Sequence, residues 1–249
     1  MIDIHSHILP GVDDGSENME TSLRMLGIAA ASGVATVVAT PHYDPGSGYF
    51  NRVTDTLEEL FRRLEYSAAS AGIPVKIVRG MEIFAGEEVP QMLEEGRLWT
   101  LGGTSYFLTE FDFSEDPEYC REYLDRCSRH GFKPIVAHPE RYKFIQRRPQ
   151  TAYEWCREGY GLQINRGSLM GRFGEQAELT AVRLVEHGLA ACIASDAHGA
   201  DRRSTHLKDV KELLDSEMGE EYSDLLLNKN PARILAGKEL LGFEPYPFI

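Results

Sequence analysis

Val34-Ala-Thr-Val-Val-Ala-Thr-Pro41-His42 is a short apolar, β-branched run that stops on a proline and a histidine. Such a run reads as a strand covered on both faces, as in a parallel sheet flanked by helices. Before it, Met19, Leu23, Leu26 and Ala30 recur at helical spacing over residues 17–32, and Gly33 stops the pattern. After it, residues 43–50 carry Pro, Gly and aromatics without a period and read as a loop. Val53, Leu57, Leu60, Phe61, Leu64 and Ala68 then mark a long amphipathic helix, closed by Gly72 and Pro74. A buried strand between two helices is the repeating unit of an α/β fold.

The unit recurs along the chain. Strands are predicted at residues 1–4, 75–80, 106–109, 134–137, 161–164 and 190–194, and helices at 88–95, 117–130, 151–158, 177–187 and from 206 onward. Seven strands alternating with helices, with no internal linker or repeat, predict a single domain over residues 1–249. They predict one closed or nearly closed barrel of parallel βα units.

At 249 residues and 42% hydrophobic content there is ample material for a core. The formal charge of -13 argues against a sequence-independent grip on nucleic acid, which needs Lys and Arg to displace phosphate counterions. No basic segment followed by an apolar run opens the chain, and no apolar stretch is long enough to span a membrane. Cys120, Cys127, Cys156 and Cys192 lack the close pairing of a zinc ribbon or a disulfide scaffold. Free thiols in a reducing cytoplasm are therefore expected.

The placement of the ionisable residues is more specific than any single motif. His5 and His7 follow the first strand and alternate onto one side of an extended backbone. His42, Glu82, Glu110, His138, and the pair Asp196 and His198 each stand at the C-terminal end of another predicted strand. That is the rim where βα barrels build their sites. Among the seven strands, 161–164 alone is expected to supply nothing. The turn after His7 carries Asp13 and Asp14, and either could bring a hard oxygen to the histidines. Imidazoles and carboxylates without thiolates suit manganese, iron, zinc or cobalt. Counting Asp14, nine candidates exceed what one ion with an open position needs, so a multinuclear site with a bridging carboxylate is expected. Arg141 and Arg203 follow ligand motifs by a few residues. Guanidinium matches phosphate geometry, so an anionic substrate is expected.

Pro41-His42, Glu82, Glu110, His138-Pro-Glu-Arg141 and Ser195-Asp-Ala-His198 resemble the motifs of the PHP (polymerase and histidinol phosphatase) superfamily. Within it, Asp3-Ile-His-Ser-His-Ile-Leu-Pro-Gly-Val-Asp-Asp-Gly15 is similar to the bacterial CpsB/CapC-type protein-tyrosine phosphatases of capsule and exopolysaccharide operons. The resemblance spans essentially the whole chain. It implies a distorted (β/α)7 TIM-like barrel with a trinuclear divalent centre, usually of manganese, with iron, zinc, cobalt or magnesium as alternatives. It further implies dephosphorylation of a bacterial tyrosine kinase that controls polysaccharide export. In those terms His5, His7 and Asp196 would hold one ion and Glu82 would bridge it to a second, completed by Glu110 and His138. Asp14, His42 and His198 would hold the third, while Arg141 and Arg203 would bind the phosphoryl group attacked by a metal-bridging hydroxide. Rival readings are a small-molecule phosphatase such as histidinol phosphatase, and a regulatory metal-binding partner of the export complex.

Other residues have ordinary readings. His130 and His187 each precede a glycine at a helix end, where a cation complements the dipole. Cys120 to Arg126 formally fits the Cys-x5-Arg loop of thiol phosphatases, yet its intervening residues are bulky and Cys120, Leu124 and Cys127 fall at helical spacing. Cys120 therefore reads as a buried helix residue. Tyr43, Tyr49 and Phe50, in the loop after His42, are placed to pack on a phosphotyrosine ring or on one another.

Overall fold

The computed structural model describes residues 1–242 and 245–248. In chain order the first half comprises β1 (Ile2–Ser6), α1 (Met19–Ala31), β2 (Thr36–Ala39), β3 (His42–Asp44), β4 (Tyr49–Phe50), α2 (Asp55–Ser70), β5 (Lys76–Arg79), β6 (Glu82–Phe84), α3 (Val89–Glu94) and β7 (Tyr106–Glu110). There follow α4 (Pro117–Arg129), β8 (Lys133–Ala137), α5 (Lys143–Arg147), α6 (Gln150–Arg157), β9 (Gly161–Asn165), α7 (Arg166–Leu169), α8 (Glu175–Glu186) and β10 (Cys192–Ala194). Helices α9 (Lys208–Glu217), α10 (Glu220–Asp224) and α11 (Asn230–Leu235) complete the series.

The result is a mixed α/β fold on parallel strands. One sheet has the order β1-β2-β5 and the other β10-β9-β8-β7-β6-β3-β4, and among the described residues only β3–β4 is antiparallel. The strands expected over residues 34–40 and 75–80 are β2 and β5, and each is followed, across Pro41 or Gly80, by a further short strand that was not expected, β3 or β6. Pro41 has no N–H to give a ladder. At Gly80 a Cβ would lie 2.6 Å from Val38 Cγ1, so the chains approach too closely for any other residue. His42 and Glu82 thus begin a second strand segment instead of ending a first. Across these breaks Gly80 N–H donates to Ala39 O (3.0 Å) and Glu82 N–H to Pro41 O (3.2 Å). At the far edge β1 runs beside the chain after β10, with His7 N–H donating to Ala197 O (2.8 Å) and Asp196 N–H to His5 O (2.9 Å).

Residues 43–50, expected to be a loop, form a small hairpin. The Asp44 carboxylate accepts from Gly46 N–H (3.0 Å) and Ser47 N–H (3.3 Å), and Gly48 takes φ +88° to return the chain into β4. Tyr43 is buried in the core, so it is withdrawn from the surface on which a substrate ring could pack.

Packing is two-sided, as the β-branched runs predict. Ile4, Val38, Leu108, Ile135, Ala137, Cys192 and Ala194, drawn from strands of both sheets, form one apolar cluster with Leu101 and Ile234. A larger layer between strands and helices includes Met25, Leu26, Val37, Phe61, Leu64, Phe107, Tyr123 and Trp155. In β1 the pairing slips by one residue, Asp3 lying opposite Val37 but Ser6 opposite Ala39. This bulge lets Ile4 join the inner apolar cluster while His5, the next residue, faces the polar end.

Candidate metal centre

All nine ligand candidates lie at the polar end of the strands. His5 Nε2 stands 3.0 Å from Glu82 Oε2 and 3.5 Å from Asp196 Oδ1, and His7 Nε2 is 3.2 and 3.7 Å from the same two oxygens. His5, His7, Glu82 and Asp196 are all buried, and ligand atoms of the four lie within 4.8 Å of one another. Two further groups meet the same condition: His7, Asp14, His42 and His198, and His42, Glu82 and Glu110. His138 falls outside these groups, yet its Nε2 is 2.9 Å from Glu82 Oε1 and 3.5 Å from Glu110 Oε2. Compared with the partition implied by the resemblance, His42 stands with Glu82 and Glu110, and His7 also reaches the Asp14 group.

Backbone geometry aims these side chains. Among the described residues, His138 (φ +37°) and Asp196 (φ +50°) are the two non-glycine positions in the left-handed region. Strain of this kind persists where surrounding structure enforces it and concentrates at functional sites. Gly15 is required for a different reason: a Cβ there would lie 2.3 Å from His7 Cβ and 2.4 Å from His7 O. The turn therefore folds flat against His7. It sets the two aspartates apart: Asp13 Oδ2 accepts from His7 Nδ1 (2.8 Å) and His42 N–H (3.0 Å). Asp14 Oδ1 faces inward, 3.4 Å from both His42 Nε2 and His198 Nε2.

Strand β9, expected to contribute nothing, contributes a chain of amides. His5 Nδ1 donates to Gln163 Oε1 (2.7 Å), Gln163 Nε2 to Asn165 Oδ1 (2.8 Å), and Asn165 Nδ2 to Asp196 Oδ2 (2.6 Å). Each amide has one orientation consistent with both its partners, so His5 carries its proton on Nδ1 and presents Nε2 inward. Asp3 lies behind the same region, accepting from Ser195 Oγ (2.6 Å) and Ser195 N–H (3.0 Å). The available signal was polar residues at alternate positions of an otherwise apolar run, Gly161-Leu-Gln-Ile-Asn165.

The electrostatics fit cations. Burial opposes charge on His5, but Glu82 and Asp196 outweigh it and raise His5 to about 9. Burial likewise opposes charge on His42, and Glu82 and Glu110 raise it to about 10. Glu82 and Asp196 are held well below the usual carboxylate range: burial opposes this, and His5, with His42 for Glu82 and Arg203 for Asp196, prevails. Asp14 is lowered by its contact with His198. The carboxylates thus draw positive charge strongly enough to override desolvation. His42 Nδ1 and His138 Nδ1 are buried without a hydrogen bond, although His42 Nδ1 lies 3.0 Å from Glu110 Oε1. Facing Glu82 and Glu110, His42 Nδ1 needs either a proton or a cation between it and the carboxylates, and this donor set suits several divalent ions.

Both arginines border this cluster. Arg203 Nη2 is 2.5 Å from Asp196 Oδ2, and Arg141 Nη1 is 3.8 Å from the same oxygen. Of the loop aromatics, Tyr49 stacks on His42 with centroids 5.6 Å apart, and Phe50 is exposed. Cys120 lies buried in α4, where burial pushes its thiol up, away from the thiolate a nucleophile needs. His130 caps α4 against Glu94, and His187 caps α8 with Nδ1 on Tyr246 O.

Comparison with known proteins places this chain in a family. The chain is 34% identical over 247 residues to the tyrosine-protein phosphatase YwqE of Bacillus subtilis, covering 99% of this chain and 96% of that protein. It is 29% identical over 240 residues to the tyrosine-protein phosphatase CpsB of Streptococcus pneumoniae, covering 94% and 98%. A crystal structure from work on YwqE and CpsB, described as metal-dependent tyrosine phosphatases, superposes with a TM-score of 0.93 at 34% identity over the whole of both chains. A lactonase from Listeria monocytogenes, 14% identical, shares the fold with a TM-score of 0.65 over 95% of this chain and 94% of that one. The family described as capsular polysaccharide synthesis, CpsB/CapC, matches residues 1–236, and the chain belongs to that family.

Proposed function

We propose that this protein is a metal-dependent protein-tyrosine phosphatase that hydrolyses phosphotyrosine monoesters on a bacterial tyrosine kinase of capsule or exopolysaccharide export. The observation that carries the reading is the convergence of five imidazoles and three carboxylates on Glu82 or on its immediate neighbours, with Arg141 and Arg203 at the border. The relatives' activity and metal dependence support it. In this reading residues 1–249 form one domain. The two sheets act together as one distorted barrel.

The donor set fits three divalent cations, manganese foremost. His5, His7, Glu82 and Asp196 would hold one; His42, Glu82, Glu110 and His138 a second; and His7, Asp14, His42 and His198 offer donors to the third. Bound there, such ions acidify water for attack on phosphorus and neutralise charge on phosphate oxygens. The chain's own residues do the rest. Glu82, in contact with His5, His7, His42 and His138, ties the sites into one unit. Asp13 and Gln163 hold the Nδ1 protons of His7 and His5, leaving the inward nitrogens free. Arg141 and Arg203 bind the phosphoryl oxygens. Tyr49 and Phe50 border the entrance where the tyrosyl ring would lie.

Among the described residues no helix is long and apolar enough to cross a membrane. A cytoplasmic enzyme that meets its kinase at the inner membrane face is the location we propose. The test is side-by-side turnover of a phosphotyrosyl peptide and histidinol phosphate with Mn²⁺. Preference for the peptide is the predicted result, and preference for histidinol phosphate would transfer the site to small-molecule chemistry.

A further inference from the structure

The geometry points to Phe173 as a positioning residue that orients both phosphate-binding arginines. Its ring lies 4.5 Å from the Arg141 guanidinium carbon and 5.6 Å from that of Arg203. Phe113 also lies against Arg141, at 4.2 Å. This inference rests on the assignment of Arg141 and Arg203 to the phosphoryl group.

A guanidinium donates in its own plane and has apolar faces. Aromatic packing on a face therefore restricts the plane without consuming donors. Among the described residues Arg141 makes no side-chain hydrogen bond, and Asp196 Oδ2 lies beyond that reach at 3.8 Å. Its in-plane N–H groups remain available to an incoming oxyanion. Arg203 is tied to Asp196 by Nε on the backbone oxygen (3.2 Å) and Nη2 on the carboxylate (2.5 Å). Among the described residues, the Phe173 ring is the one aromatic group that approaches both arginines.

Local chemistry is arranged around that ring. Gly171 (φ +71°) and Gly174 (φ +89°) flank it with turns that L side chains rarely adopt. Gly167 leaves its place to the ring, since a Cβ there would be 2.6 Å from Phe173 Cε2. Arg172 donates from Nη1 to Arg202 O, which ties the Phe173 loop to the loop that carries Arg203. These contacts fix the loop relative to both arginines, and none of them involves a ligand candidate.

The experiment uses Mn²⁺-loaded full-length protein and inorganic phosphate as the probe. Phosphate affinity is measured by calorimetry, manganese content by elemental analysis, and phosphotyrosyl-peptide turnover alongside. Phe173→Leu keeps bulk without a π face, whereas Phe173→Tyr keeps the face. The predicted result is about tenfold weaker phosphate binding in Phe173→Leu, near-normal binding in Phe173→Tyr, and equal manganese content in both. Normal phosphate binding in Phe173→Leu overturns the proposal. So does equal loss in both variants, or loss that tracks missing manganese or a failed fold, because the ring would then act through volume or the cluster. A wild-type protein that binds phosphate but does not turn over the peptide would instead sink the phosphatase reading, leaving the outcome for Phe173 separately legible.

Discussion

His5 is held by a bond that sequence inspection passes over. Its Nδ1 donates to Gln163, which passes the orientation through Asn165 to Asp196, so a ligand candidate on β1 and one just after β10 share one amide chain. Partners of this kind set the tautomer and direction of a ligating imidazole. Gln163→Leu keeps the approximate volume but removes the acceptor and the donor. We predict manganese affinity roughly ten- to a hundredfold weaker, measured by calorimetric titration of the metal-free protein; unchanged affinity would show that His5 is oriented by packing alone. The imidazoles and carboxylates stood out as candidates because each follows an apolar strand run or, for Asp14, lies in the turn after His7. The amides were not, because Gln and Asn are common, uncharged and absent from the usual ligand sets. Nor was Tyr43, whose inward direction depends on a hairpin set by Asp44 and Gly48.

Among the elements, the turn from His7 to Ser16 shows how much local geometry the chain needs to present Asp14. Ser16 N–H donates to His7 O (2.9 Å), Gly11 N–H to Ser16 O (2.7 Å), and Gly15 passes where no Cβ fits. Gly15→Ala is predicted to destabilise the protein by about 1–3 kcal/mol through overpacking and to lower manganese stoichiometry, checked by denaturant unfolding and elemental analysis. Wild-type values for both would mean the turn can shift without cost. Strand identity was readable from apolar runs such as residues 34–40, as was helix identity from periodic spacing. The breaks at Pro41 and Gly80 were less so: the close approach of Gly80 to Val38 is a tertiary fact. The same holds for the partition of ligands, since one histidine can face two carboxylates through two nitrogens.

For the whole molecule, a formal charge of -13 sets the acidic background, while burial makes the cluster's charge costly until cations arrive. In the metal-free protein His5 and His42, ordinarily near 6.5, are raised to about 9 and about 10. Groups raised in the folded state contribute stability that is fully present below their unfolded value and lost as pH rises through the folded value. The metal-free protein should therefore melt at progressively lower temperature between about pH 6.5 and pH 10. Binding divalent ions needs neutral imidazoles, so manganese affinity should rise over the same window, by up to about tenfold per pH unit for each proton released. Scanning calorimetry with and without manganese separates the two effects; a flat profile for both would contradict the electrostatics derived for the cluster.

The most direct measurement of the central claim is phosphotyrosyl-peptide turnover in three preparations: the wild-type protein with Mn²⁺, the same protein after chelation and dialysis, and a His42→Ala, Asp196→Ala double variant. The predicted result is turnover in the first, loss in the second with recovery when Mn²⁺ is returned, and loss in the third that Mn²⁺ does not repair. Undiminished turnover after chelation, or in the double variant, would contradict it.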